Sequence, residues 1–405
     1  MKVCFVAMRY GPDVLGGAEQ HCRNFAIRMA ARGHQVEVVT TTARSSLTWA
    51  DDSPSGTTPE DGVLVHRLPT TAERDPIRYE PLERRAVWGA RPVPLALQEA
   101  WLHAQGPDVP GLAPWLSRNA CRFDVVVCFS FMYATTVDGL IAAGRHTTTV
   151  LHPTAHDEPV LDLSLYDIAL AHADGWALST EEEADLVTER FRPRGEVDVI
   201  GVGIELGRPG DGARFRGRYG LGEDPYLVVV GRAGAGKGVD EVLRHHTTRW
   251  ERAARSGARG TRLVVVGDEL ADAPEGVVGT GFVDDQTRDD ALAGATAVVV
   301  PSWFESFSMV LAEGWAQRRP AIVQERCAPL RGQVARAGGG VAYRGFREWD
   351  QAADLLTSDR ALADRLGSAG RRYVEDRYPW DTVLDRYEAL LTRTMAGRAD
   401  RPDLS

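Results

Sequence analysis

The chain has 405 residues, too many for one ordinary domain and enough for two of roughly 200 each. Its composition is globular, 43% apolar and 26% charged. A net charge of −10 argues against a binder of duplex nucleic acid, which needs a basic face, and weakens a general affinity for anionic membranes.

No apolar run approaches the ~20 residues of a membrane span, and Met1-Lys2 leads straight into a short strand rather than a signal peptide. The expected compartment is the cytoplasm, with weak membrane association left open. Cys4, Cys22, Cys121, Cys128 and Cys327 are scattered, odd in number and without a CxxC pair. They read as reduced thiols rather than zinc ligands or disulfides.

Residues 3–7 form a short buried strand. A Gly/Pro loop with Gly16-Gly17 follows, then an amphipathic helix over about 18–32, ended by Gly33, and a strand at 36–39. Strand, glycine turn, helix and strand make a βαβ unit, hence a parallel sheet. Residues 43–122 are less regular, with one strand at 63–67 and a Trp/Leu-rich stretch around Trp101 and Trp115. They read as an insertion over one face of the sheet. Alternation resumes with strands at 124–129, 147–151, 175–178 and 197–200.

Residues 201–224 are rich in Gly, Arg and Asp and hold the domain boundary. A second series of strands follows at 226–230, 262–266, 278–282, 297–300 and 320–323. The rest is mostly helical, ending in a helix over 380–395. The expected class is α/β, with two Rossmann-like domains at 1–205 and 206–378, a C-terminal helix at 379–395 and a flexible tail at 396–405.

Two stretches of the second half carry the chemistry. In the first, strand 297–300 and Pro301 lead into Glu305-Ser306-Phe307-Ser308-Met309-Val310-Leu311-Ala312-Glu313. A carboxylate in the turn, followed by a helix whose first N–H groups point outward, makes an anion site bordered by hydroxyl-binding groups. Eight residues of helix span roughly 12 Å, wider than the 5–9.5 Å of a hydrolytic dyad, so Glu305 and Glu313 fit a ligand-spanning pair better. A turn carboxylate plus a solvated helix carboxylate is the plainer alternative.

The second stretch is Gly231-Arg232-Ala233-Gly234-Ala235-Gly236-Lys237-Gly238. It resembles a Walker A loop, except that Gly238 stands where a P-loop needs Ser or Thr for magnesium. A tight turn and a loop presenting Arg232 and Lys237 to a diphosphate are the other readings. Lys2 and Lys237 are the only lysines among 47 basic residues, which singles Lys237 out.

In the first half, Gly16-Gly17-Ala18-Glu19 allows close backbone approach or positive φ. GxGxxG is absent and the second strand ends in Thr40-Thr41-Thr42, so NAD binding is not expected. His152 and His156-Asp157 follow a strand and could line a crevice; a metal set would lack a third ligand. Gly281-Phe282-Val283-Asp284 could offer a ring and backbone to a base, or be a plain turn. Asp268-Glu269 is equally open.

Taken in order along the chain, these motifs resemble the family 4 retaining glycosyltransferases, whose fold is GT-B: two Rossmann-like domains facing a central cleft, with the C-terminal helix crossing back to the N-terminal domain. Gly201-Val202-Gly203-Ile204 adds to the match. The resemblance implies a nucleotide-diphosphate sugar donor (UDP- or GDP-), a hexose-type sugar, a hydroxyl acceptor in the N-terminal domain, and no metal or other cofactor. Glu305 would hold the sugar hydroxyls and Glu313 the ribose. Arg232 and Lys237 would neutralise the diphosphate with the N–H groups of Ser306, Phe307, Ser308, Met309 and Val310. Gly16 and Gly17 would approach the phosphate, Phe282 and Val283 the base, and His156 would lie near donor sugar and acceptor.

The chain departs from the family pattern at Ser308, usually Gly, at Trp315, usually small, and at Arg326-Cys327. An epimerase-like or phosphorylase activity, or a nucleotide-sugar binder without turnover, are the alternatives.

Overall fold

The computed structural model describes residues 1–14, 16–231, 236–257 and 260–399. The chain divides into two compact units, Met1–Ile200 together with the chain from Leu384, and Gly201–Val383.

The first unit is built on β1 (Lys2–Val6), β2 (Gln35–Thr41), β3 (Gly56–Glu60), β4 (Val63–Leu68), β5 (Val125–Phe129), β6 (Thr148–His152), β7 (Gly175–Leu178) and β8 (Glu196–Val199). The sheet order is β3-β4-β2-β1-β5-β6-β7-β8. Neighbours are parallel except β3 and β4. A parallel sheet is covered on both faces, so its strands must be apolar throughout rather than alternating. β5, Val-Val-Val-Cys-Phe, meets that demand and is buried at every position.

The second unit has β9 (Tyr226–Val230), β10 (Arg262–Val266), β11 (Val277–Gly279), β12 (Ala297–Val300), β13 (Ala321–Gln324) and β14 (Gly340–Tyr343). Their order is β11-β10-β9-β12-β13-β14, with all pairs parallel. The order in which strands are added reverses between β9 and β12, and in the first unit between β1 and β5. Such a switch point leaves a crevice beyond the carboxyl ends of the two strands, where ligands bind in doubly wound sheets.

Three differences from the sequence reading have local causes. The segment read as an insertion continues the sheet, since β4 pairs in parallel with β2. The helices Leu95–Gln105 and Leu112–Asn119 then bury Trp101, Leu102, Leu112 and Leu116 in the first unit's core. β14 escaped notice because it is four residues long and starts inside Gly338-Gly339-Gly340. The strand expected at 278–282 stops at Gly279, and Gly281 turns the chain at a φ of 67°.

The helix Trp380–Ala399 leaves the second unit and packs on the first from Leu384 onward. Tyr387 lies 4.5 Å from the Phe25 ring. Arg32 pairs with Asp385 at 2.6 Å, and Arg398 Nη1 donates to Asp174 at 2.6 Å. Among the described residues no helix is long and apolar enough to cross a membrane.

Candidate functional site

At the switch point of the second unit, the loops after β9 and β12 lie against each other. Trp303 N donates to Gly236 O at 2.9 Å, and Trp303 Nε1 donates to Glu241 Oε2 at 3.3 Å. Gly238 has a φ of 68°, and a Cβ there would sit 2.2 Å from Pro301 O. No Ser or Thr can occupy that place, which removes the Walker A reading. The loops bring together Lys237 and Glu305, with Nζ 2.8 Å from Oε1. Lys237 is 53% exposed at its side chain and Glu305 18%, so the ammonium stays reachable from solvent. Arg232 lies outside the described residues.

The helix after Glu305 starts later than the sequence suggested, at Met309–Ala316, because Ser308 takes a φ of 76° and cannot be helical. Ser308 is its N-cap, and Oγ accepts from Leu311 N at 3.4 Å. The N–H groups of Met309 and Val310 have no intrahelical acceptor. Ser306 and Phe307 precede the helix. The Phe307 ring is buried edge-on against Tyr378, and its carbonyl accepts from Gln333 Nε2 at 2.5 Å. Phe307 is therefore a core residue that anchors the loop; only its backbone borders the site.

Glu313 projects from the same helix to Arg288, with Oε1 3.2 Å from Nη2. Burial raises its carboxyl above the usual range while Arg288 opposes the shift. Glu305 and Glu313 thus face different cations and do not form a dyad. Arg288 was missed in the sequence: it sits in the charged run of the helix Asp285–Gly294 and nothing local distinguishes it. Phe282 is 73% exposed, an uncovered ring beside half-buried Val283. Gly281 N donates to Asp268 O at 3.1 Å, so the two loops that looked ambiguous are neighbours. Asp284 has a structural role, capping the next helix by accepting from Thr287 N at 2.7 Å.

In the first unit, Gly16 and Gly17 end the loop after β1. Neither takes positive φ. Gly16 is extended, and a Cβ on it would meet Glu19 Oε2 at 2.1 Å. Glu19 is buried and paired with Arg9, whose Nη1 donates to Arg44 O at 2.7 Å. That pair, unnoticed in the sequence, holds the loop. His156 Nδ1 is 2.6 Å from Glu158 Oε1. His152 closes β6 wholly buried between His21, Phe25 and Phe129. It lines no crevice and cannot share a metal with His156. Among the described residues no cluster of three or more His, Cys, Asp or Glu could hold a metal ion.

Two family models match the chain, a glycosyl transferase 4-like domain over residues 16–203 and glycosyl transferases group 1 over residues 224–344. The second takes in the loops after β9 and β12 and the Glu305–Glu313 run. The chain belongs to the family 4 glycosyltransferases. Similar curated proteins include D-inositol 3-phosphate glycosyltransferase of Segniliparus rotundus, 27% identical over 97% of this chain and 88% of that protein. Glycogen synthase of Mycobacterium tuberculosis is 27% identical over 95% and 92%. Among solved structures, sucrose-phosphate synthase from Thermosynechococcus elongatus superposes with a TM-score of 0.72 at 16% identity, covering 98% of this chain and 99% of that one. Anabaena HepE in complex with UDP gives 0.70 at 15%, covering 97% and 100%. The fold is GT-B.

In this glycosyltransferase the unusual Arg326-Cys327 segment borders the Glu305 loop. The Arg326 guanidinium lies 4.7 Å over the Trp303 ring. Cys327 is buried and its thiol is pushed up to about 11, so it is an inert packing group.

A buried carboxylate helps to hold the loop that carries His156 in the glycosyltransferase. Glu183 accepts from Ala155 N and Ser179 N, each at 2.6 Å, tying that loop to the end of β7. Burial raises Glu183 from 4.5 to about 7 against those two donors. The folded carboxyl keeps its proton up to about 7 while an unfolded one releases it near 4.5, so stability contributed here is lost as pH rises between those values. Glu183→Gln cannot ionise and should flatten that stretch of a denaturant-derived stability profile. A slope unchanged from the parent chain would refute the assignment.

Proposed function

We propose that this glycosyltransferase moves a hexose-type sugar from a UDP- or GDP-sugar to a hydroxyl acceptor, with retention at the anomeric carbon and without a metal ion. The observation that carries the reading is the meeting of Lys237, Glu305 and the Met309–Ala316 helix N-terminus at the β9/β12 switch point. As the C–O bond to the leaving diphosphate breaks, negative charge grows on the phosphate oxygens. A preorganised ammonium and outward N–H groups stabilise that charge more than they stabilise the ground state. Glu305 can accept from sugar hydroxyls while Lys237 turns to phosphate. Glu313, oriented by Arg288, can accept from ribose hydroxyls, and the exposed Phe282 ring can stack on a base. The departing phosphate would take the acceptor proton. Solved relatives of the same fold carry UDP or UDP-glucose, which favours a uridine donor.

The test is turnover of a panel of UDP- and GDP-sugars, followed as released nucleoside diphosphate, with and without EDTA. Release from at least one donor, undiminished by EDTA, is expected. Release abolished by EDTA and restored by magnesium or manganese would overturn the metal-free mechanism. Absence of release from every donor would overturn the transfer itself.

A further inference from the structure

The Met309–Ala316 helix has a second feature at its other end. Beyond Ala316 the second unit has a solvent-open cavity of about 620 Å³, between residues 206–212 and the turn Gln317-Arg318-Arg319. That volume lies in the range of small-molecule sites. Four arginines, Arg208, Arg318, Arg319 and Arg371, line it against a single carboxylate, Asp211. Asp211 is already engaged, accepting from Ala213 N and Arg214 N at 3.0 Å each.

The arginines divide by role. Arg208 is neutralised by Asp289 at 3.2 Å and Asp285 at 3.4 Å, and Arg371 by Glu375 at 2.6 Å. Arg318 and Arg319 have no ion pair among the described residues. Arg319 Nε is cut off from solvent without a hydrogen-bond partner. Burial holds this guanidinium below its usual range, with Arg360 and Arg216 adding to the effect and Tyr226 and Asp364 opposing it. A half-buried cation with no carboxylate in ion-pair contact is destabilising until an anion reaches it. Arg318 takes a φ of 58° as the left-handed residue that ends the helix, with Arg318 N donating to Trp315 O at 2.8 Å and Arg319 N to Gly314 O at 3.0 Å.

The walls are fixed before any ligand arrives. Gln317 Oε1 accepts from Gly210 N at 3.0 Å, and its Nε2 donates to Arg208 O at 2.9 Å. Arg371 donates to Ala316 O and, at 3.3 Å, to Leu206 O. Preorganised walls lower the ordering penalty of binding. Two forked donors without partners match phosphate oxygens in number and geometry.

We propose that this cavity is a second anion site, separate from the donor site, which takes a small phosphorylated metabolite. The two sites lie at opposite ends of an eight-residue helix, roughly 12 Å of rise. The full chain is titrated with inorganic pyrophosphate at constant ionic strength, by calorimetry. The parent chain should show saturable binding that persists in Lys237→Ala, whereas Arg318→Ala and Arg319→Gln should each weaken it at least tenfold. Arg318 is exposed, so its variant keeps the test valid should Arg319→Gln fail to fold. Binding unchanged in Arg318→Ala, binding abolished by Lys237→Ala, or no saturable binding to the parent chain would overturn the proposal.

Discussion

Lys237→Ala should lower kcat/KM at least about tenfold while leaving the thermal unfolding midpoint almost unmoved. The activity loss follows from removing a charge-assisted hydrogen bond worth ~1.5–3 kcal/mol to a diphosphate. The stability is spared because the Lys237–Glu305 pair is formed by a half-exposed ammonium, and exposed pairs contribute little to folding. The pair also predicts how the variants combine. In the free chain Glu305 holds the ammonium at 2.8 Å; with donor bound, the ammonium serves phosphate and the carboxylate serves sugar. Lys237→Ala and Glu305→Gln should therefore be non-additive, the double variant losing less than the product of the single losses. Strict additivity in steady-state kinetics, or unchanged kcat/KM in Lys237→Ala, would remove the pair from the reaction.

The second large effect concerns folding. Trp315→Ala should destabilise the chain by ~3–5 kcal/mol, the range for deleting a fully buried large aromatic. Trp315 is 0% exposed, its Nε1 donates to Gly339 O at 2.8 Å, and its ring meets Tyr373 at 5.7 Å between centroids. The room for it comes from two glycines. A Cβ on Gly370 would lie 2.1 Å from Trp315 Cδ1, and one on Gly339 would lie 2.6 Å from Nε1. The large side chain at this position is thus matched by small residues opposite. Gly370→Ala should destabilise for the complementary reason, overpacking. Urea unfolding measures both. A midpoint for Trp315→Ala equal to that of the parent chain would contradict this packing account.

Much of the fold was legible because a parallel sheet forces its strands to be apolar on both faces. Runs such as Val125–Phe129 and Ala297–Val300 announce themselves for that reason. β3, Gly-Thr-Thr-Pro-Glu, is an exposed antiparallel edge and carries no such signal. The helix after Glu305 was legible, but its true start was not: whether Ser308 is helical depends on a backbone angle rather than on its propensity. The Lys237–Glu305 meeting could be anticipated from loops at the ends of strands in one series. Its neighbours could not. Arg288 reaches Glu313, and Glu183 reaches Ala155 N, across distances along the chain that only the packed sheet closes. His152 erred in the other direction. A polar residue at the end of a parallel strand suggests a crevice, yet His21, Phe25 and Phe129 bury it completely.

A comparison of UDP with uridine decides whether the β9/β12 switch point holds the diphosphate of a nucleotide-sugar. Calorimetric titration of the full chain, with GDP and guanosine as the parallel pair, isolates the diphosphate's share of the affinity. One diphosphate should bind at least about tenfold tighter than its nucleoside, from charge-assisted contacts, and Lys237→Ala should narrow the gap. Equal affinity for diphosphate and nucleoside in both pairs, or a gap that Lys237→Ala leaves intact, would contradict it.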